Sequence, residues 1–378
     1  FQSGNDAELI TKAVKFPILI FFIIAAIQVY CWAQRMYGKF AAFTALTLFA
    51  FSPTILAHSR FVTTDVPALF GVLIATSLFL RYLFYPTRKN LWFAGIAFGV
   101  AILTKFSTFL LIPYFLALAF IYWVTTKRNK VRDTILIFII GFVFIVWPVY
   151  YLFTFNYPPE HQAADTEFIL GSFGNRTLAE LNEFIANKPV IRGLGQYMLG
   201  LLMVGQRAVG GNTTYFLGEV SSSGWRHYFP IVYAIKEPLS WWALVVAALV
   251  YLAWQVNWVK NPAKIWRGSL NFIKHHFAEF AMLLWLAIYW TTSIKSNLNI
   301  GVRHLLPTYP FAIILVSGQI AKLRHKIKYF TWIVLLLLGW YVVESVRVWP
   351  YYLTYFNQLA GGPSGGYRYV VDSNLDWG

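Results

Sequence analysis

Long, nearly uninterrupted apolar stretches constrain this chain more than any motif in it. Residues 14–33, 40–57, 66–87, 134–154, 238–256, 279–294, 305–321 and 329–349 are each near the length of a helix crossing a hydrocarbon core of about 30 Å. A lone strand would leave its backbone groups without partners in lipid, so each stretch is read as a helix. At 58% hydrophobic and 12% charged residues, the composition excludes a string of ordinary soluble domains. The expected fold class is an all-α polytopic membrane protein of about ten transmembrane or half-spanning helices with one long external loop.

Residues 91–125 are apolar throughout except for Lys105 near the middle. One helix of that length would extend about 52 Å, well beyond the bilayer core. Two short helices meeting at Lys105 are therefore expected. A lysine between half-helices in apolar surroundings also needs a partner.

Charge sets the orientation. Placing the connections 34–39, 81–90, 126–133, 257–278 and 322–328 on one side collects 17 of the 31 Lys and Arg residues, among them Lys260, Lys264 and Arg267. Only Asp133 and the adjoining Glu279 oppose them. By the positive-inside rule this side is cytoplasmic, and the net charge of +16 reflects topology rather than nucleic-acid binding. Both connections around 91–125 are basic, so that stretch crosses an even number of times, as two helices would. The single cysteine, Cys31, lies inside a span and says nothing of redox compartment.

The expected organisation is a single transmembrane catalytic-type domain over residues 1–378, with an external loop at 155–237 that carries short interfacial helices. Thr177-Leu-Ala-Glu180 has the form of a capping box opening a helix to about Ala186. The stretch 193–205 is apolar but short and glycine-rich, suited to the interface or the flank of the bundle. Trp241 and Trp242 read as aromatic-belt residues. Asn175-Arg-Thr177 and Asn212-Thr-Thr214 are acceptor-type sequons. No internal repeat is visible, which disfavours the repeat-built transporters. Both ends read as cut, and the chain is expected to be a fragment of a longer one.

The cytoplasmic bases are explained by topology, which leaves three external clusters: "AHSRFVTTD" (57–65), "GEVSSSGWRHYFPIVYAIKEP" (218–238) and "SNLNIGVRHLLP" (296–307). Their ionisable residues sit within a few positions of a helix entering the bilayer. A sugar leaving a lipid-linked phosphate there would release negative charge near headgroup level, where Arg303, Arg226 and Lys236 could meet it. The attacking hydroxyl needs a base or metal-bound activation, which is work for the Asp65 carboxylate. His58, Arg60, Lys105, His227 and His304 complete the substrate-binding candidates. Against this, a base at a helix end more often snorkels to the interface, and Asp65 or Thr64 can simply cap a helix. No HxxH, CxxC or HExxH spacing marks a metal, and no P-loop or GxGxxG marks a nucleotide. The three histidines leave a divalent metal open.

Five segments, "FSPTILAHSRFVTTDVPALF", "GVAILTKFS", "GEVSSSGWRHYFPIVYAIKEPL", "NIGVRHLLPTYPF" and the closing "DSNLDWG", together resemble bacterial glycosyltransferase family 39. These are membrane glycosyltransferases of the C-type fold, similar to the protein O-mannosyltransferases that use dolichyl-phosphate mannose. The resemblance covers nearly the whole chain in the same order. It implies an inverting transfer from a polyprenyl-phosphate sugar to a protein, lipid or glycan hydroxyl, on the extracytoplasmic face of the plasma membrane. In that family one acid in the first external loop is the principal catalytic carboxylate, and a second opens a later helix. Asp65 matches the second. The first has no match here, neither Asp6 nor Glu8 being assignable to it, and is expected upstream of Phe1. A transporter or flippase for a lipid-linked sugar, or a noncatalytic lipid binder, are the competing classes.

Overall fold

The computed structural model describes residues 4, 6–255, 262–371 and 374–375, with the side chains of 262–267 left aside. Lys260, the Lys264 and Arg267 side chains, and residues 372–373 and 376–378 of the closing motif lie outside the described residues. The chain forms two compact units, one of residues 1–74 and 212–378, the other of residues 75–211.

The first unit opens with α1 (Ala7–Tyr37), whose first turn is capped by Asp6 through the Glu8 and Leu9 N–H groups at 2.9 and 3.1 Å. Gly38, at φ 86°, ends it and starts α2 (Lys39–Ala50). The apolar stretch 40–57, expected as one helix, is instead two. Ser52 accepts the Ile55 N–H at 3.2 Å and Pro53 takes the first helical position of α3 (Pro53–His58). A proline cannot continue the helix before it, and its missing N–H costs nothing at a start. The helix α4 (Asp65–Phe84) begins in this unit and ends in the next.

In the second unit α5 (Arg88–Thr104) stops at Lys105, whose backbone is extended, and a short 3₁₀ turn leads into α6 (Leu111–Thr126). The expected break at Lys105 is therefore present. Next come α7 (Val131–Gly141), a π turn, α8 (Trp147–Thr154), α9 (Pro159–Leu170), α10 (Arg176–Ala186) and α11 (Arg192–Gly210). The α5 and α7 backbones touch: a Cβ on Gly99 would fall 2.7 Å from the Gly141 carbonyl oxygen. Close approach through small residues replaces the hydrophobic drive that lipid removes. Arg192 donates to the Thr154 and Tyr157 carbonyls at 2.6 and 2.7 Å, taking up acceptors that α8 leaves at its end. The cap of α10 is Asn175, which accepts the Leu178 N–H at 3.2 Å, and not the expected Thr177 box. On α10 Ala179, Asn182 and Ala186 are buried while Leu178, Leu181 and Phe184 face outward.

The chain then returns to the first unit. A hairpin pairs β1 (Thr214–Phe216) with β2 (Glu219–Ser221). After it come α12 (Tyr228–Lys236), α13 (Leu239–Gln255), α14 (Pro262–His275), α15 (Phe277–Lys295), a 3₁₀ turn over Val302–Thr308, α16 (Tyr309–Leu323) and α17 (Phe330–Arg347). α16 touches α1, α2, α13 and α15. Of its apolar window, with the turn before it, 78% is buried, against 28% for α1 and 33% for α17, so α16 is the inner helix and the others turn apolar faces outward. Bare leucine and tryptophan on those faces suit lipid rather than water.

Among the described residues seven helices are long and apolar enough to cross a membrane, or eight if α12 and α13 count as one bent pair. That pair turns by 111° at Glu237 and Pro238. Proline biases the residue before it to extended backbone, and Glu237 sits at φ −104°, ψ 141°. Trp241, expected in an aromatic belt, is buried beside the break, and Trp242 donates its indole N–H to the Ala234 carbonyl at 3.1 Å.

Candidate functional site

The site grows from the first turn of α4. Asp65 is 3% exposed, and its position at a helix N-terminus favours a negative charge. Arg303 Nη1 lies 3.8 Å from its Oδ2. Arg303 is held from its own side by a bond from Nε to the Ile300 carbonyl at 3.1 Å. Gly301, at φ 87°, turns the chain into the 3₁₀ segment that carries Arg303, and Asn374 Oδ1 accepts the N–H of Val302 at 3.0 Å. Two of the residues singled out from sequence are thus brought together from positions 238 apart.

The other candidates are distributed differently. Lys236 is 2% exposed, and its ammonium donates to the Leu353 and Asn374 carbonyls at 2.7 and 2.8 Å while lying 4.2 Å above the Phe356 ring. It ties down the C-terminal segment. Arg60 donates to the Pro350 carbonyl. His58 is fully buried at the end of α3 with Phe61 beside its ring. His304 lies between the rings of Phe229 and Tyr289 at 5.5 and 5.3 Å. Arg226 and His227 are exposed, the His227 ring 5.4 Å from Phe216. Lys105 belongs to the second unit.

The break between α12 and α13 holds a carboxylate that sequence reasoning passed over. Glu237, 2% exposed, accepts from Thr54 Oγ1 at 2.8 Å and from the Tyr309 hydroxyl at 2.7 Å. Asn357 donates its side-chain amide to the Ala234 and Glu237 carbonyls at 2.7 and 2.8 Å, and its N–H to the Ile235 carbonyl at 2.9 Å. Those carbonyls lost their helical partners at Pro238, and Asn357 replaces them. A Lys-Glu-Pro run at the mouth of a span was the available signal. Burial of both groups is offset by their hydrogen bonds, two hydroxyls on the Glu237 carboxylate and two carbonyls on the Lys236 ammonium.

Among the described residues no three His, Cys, Asp or Glu side chains converge as a metal-holding group. The chemistry open to the site is that of a carboxylate paired with a guanidinium: a proton acceptor next to a cation that can receive an oxyanion.

Residues 10–151, which include His58, Arg60, Asp65 and Lys105, match the family model for dolichyl-phosphate-mannose-protein mannosyltransferase. The fold is similar to that of the Archaeoglobus fulgidus oligosaccharyltransferase, solved with a tethered acceptor peptide containing the NVT sequon. The TM-score is 0.53 at 16% identity, over 92% of this chain and 44% of that one. Its apo form gives 0.50 at 14% identity, over 89% and 43%. This chain thus spans less than half the length of the oligosaccharyltransferase it resembles. No curated protein matches the chain. The resemblance to mannosyltransferase-like membrane glycosyltransferases is borne out by the family model over its stretch, and the polytopic C-type bundle by the fold.

Proposed function

We propose that this protein transfers a sugar from a polyprenyl-phosphate donor to an acceptor hydroxyl, with inversion, on the extracytoplasmic face of the plasma membrane. The observation that carries this reading is the Asp65–Arg303 pair at the head of α4, with the carboxylate buried and the guanidinium partly open. The mannosyltransferase match over residues 10–151 and the oligosaccharyltransferase fold support it, and the distribution of basic loops supports the sidedness.

In this reading the acceptor oxygen attacks the anomeric carbon from the face opposite the phosphate. The new C–O bond forms as the bond from that carbon to the phosphate oxygen breaks, and its electron pair leaves on the phosphate. Arg303 meets that charge with donors already in place, which lowers the barrier because no solvent has to reorganise. The hydroxyl proton passes to Asp65, which also keeps Arg303 oriented.

The test is transfer from a radiolabelled polyprenyl-phosphate sugar by the full-length protein in vesicles, beside Asp65→Asn and Arg303→Gln forms. Loss in both is expected, with the product of opposite anomeric configuration and donor consumed only on the extracytoplasmic side. Undiminished transfer by Asp65→Asn removes Asp65 from the mechanism.

A further inference from the structure

A polar cavity of about 200 Å³ lies between the turn after β2 and the end of α15. Ser223, Trp225 and Arg226 line it from one side and Lys295, Ser296 and Asn297 from the other. Its wall holds two cations, two hydroxyls and an amide, and no carboxylate. Arg226 and Lys295 are both exposed, so each ammonium or guanidinium can turn toward an incoming group.

The two sides are locked together before any ligand arrives. Asn299, 1% exposed, accepts the N–H of Trp225 on its side-chain oxygen at 2.7 Å. Its own N–H donates to Asn212 Oδ1 at 3.0 Å, and its carbonyl accepts from Thr214 Oγ1 at 3.0 Å. Gly224 adopts φ +66°, and a Cβ there would fall 2.6 Å from the Asn297 carbonyl oxygen. Any side chain would wedge the loops apart, so the residue is glycine. A cavity held this way binds without first ordering its walls.

Cations with hydroxyl and amide donors and no opposing acid select an anion, and phosphate oxygens use all three kinds of donor. The volume equals roughly six or seven waters, more than a bare phosphate needs and enough to admit a sugar ring with it. Lys295, Ser296 and Asn297 precede Arg303 by six to eight residues on the same connection. We propose that this cavity is an anion subsite on the connection that leads to Arg303, and that it holds a phosphorylated sugar of the acceptor. That the anion belongs to an acceptor rests on the transferase reading; the binding of the anion does not.

Calorimetry on the full chain in phosphatidylcholine nanodiscs tests it, with inorganic phosphate and a hexose 6-phosphate as probes. Binding is expected with the wild-type protein, weakened about tenfold or more by Arg226→Gln with Lys295→Gln, and retained by Lys295→Arg and by Lys188→Gln, an exposed cation of the second unit. No binding, or binding indifferent to Arg226 and Lys295, would overturn the proposal. Nanodiscs doped with phosphatidic acid separate the two sources of such an anion. Competition with the hexose phosphate points to a lipid headgroup and its absence to a soluble sugar phosphate, and both satisfy the same chemistry. Transfer without phosphate binding fails this proposal alone, while phosphate binding without transfer fails only the transferase reading.

Discussion

Thr54 donates to Glu237 at 2.8 Å across 183 residues of sequence. The bond joins the start of α3 to the break between α12 and α13, and Tyr309, at the head of α16, reaches the same carboxylate oxygen. Removing the carboxylate leaves the Thr54 and Tyr309 hydroxyls buried without their acceptor. Glu237→Leu is expected to destabilise the protein by about 3 kcal/mol, the scale of two buried donors left unsatisfied. Thermal unfolding in detergent measures it, and a shift no larger than that of an exposed substitution such as Glu219→Leu contradicts the network.

If Asp65 and Arg303 act as one unit, as proposed, their substitutions should not add. Asp65→Asn and Arg303→Gln are each expected to lower transfer by about 100-fold or more. The double variant should be little worse than either single one. Two effects that multiply fully would show that the residues act apart.

Asn357 stands in for the helical donors that Pro238 removes. Asn357→Ala leaves the Ala234 and Glu237 carbonyls buried without that donor, at a cost of about 2 kcal/mol. Asn357→Asp, isosteric but lacking the amide donor, should cost at least as much. Hydrogen exchange over residues 232–242 should accelerate in both, and unchanged exchange rejects the role.

Gly99→Ala drives a methyl into the Gly141 carbonyl and should destabilise the α5–α7 contact by about 2 kcal/mol. Gly205, on α11, has open space around it, so Gly205→Ala should be neutral or stabilise by up to about 1 kcal/mol. Unfolding of the two variants side by side checks the contrast.

The apolar segments were readable because lipid admits few solutions: length and the lack of polar residues suffice to name a helix. Lys105 marked its break because a single helix there would overrun the bilayer. The break at Ser52 and Pro53 was equally local, a capping residue followed by proline, but the apolar count around it hid the signal. Asn175 took the cap from Thr177 by lying two residues earlier with the same chemistry. Asp65 and Arg303 could be chosen by residue type and position at a helix mouth. Glu237 could not, because its meaning comes from Thr54 and Tyr309, which adjoin it only in the fold. Lys236 was picked as a base for phosphate on the same local grounds, yet its ammonium is taken by carbonyls from far along the chain. Local chemistry names the charged groups; distant partners decide their tasks.

The turn at Glu237 and Pro238 has a consequence for biogenesis. The Lys236 ammonium and the carbonyls of Ala234, Ile235 and Glu237 are met by Leu353, Asn357 and Asn374, all more than a hundred residues downstream. While a ribosome is still making α14 to α17, the Ala234 carbonyl has only the Trp242 indole and the other groups lack these partners, so nascent α12 must wait with temporary ones such as water. The corner therefore closes late in synthesis, after every span has been threaded into the bilayer. The turn that carries Arg303 to Asp65 gains its bond from Val302 to Asn374 only once that last segment has emerged as well.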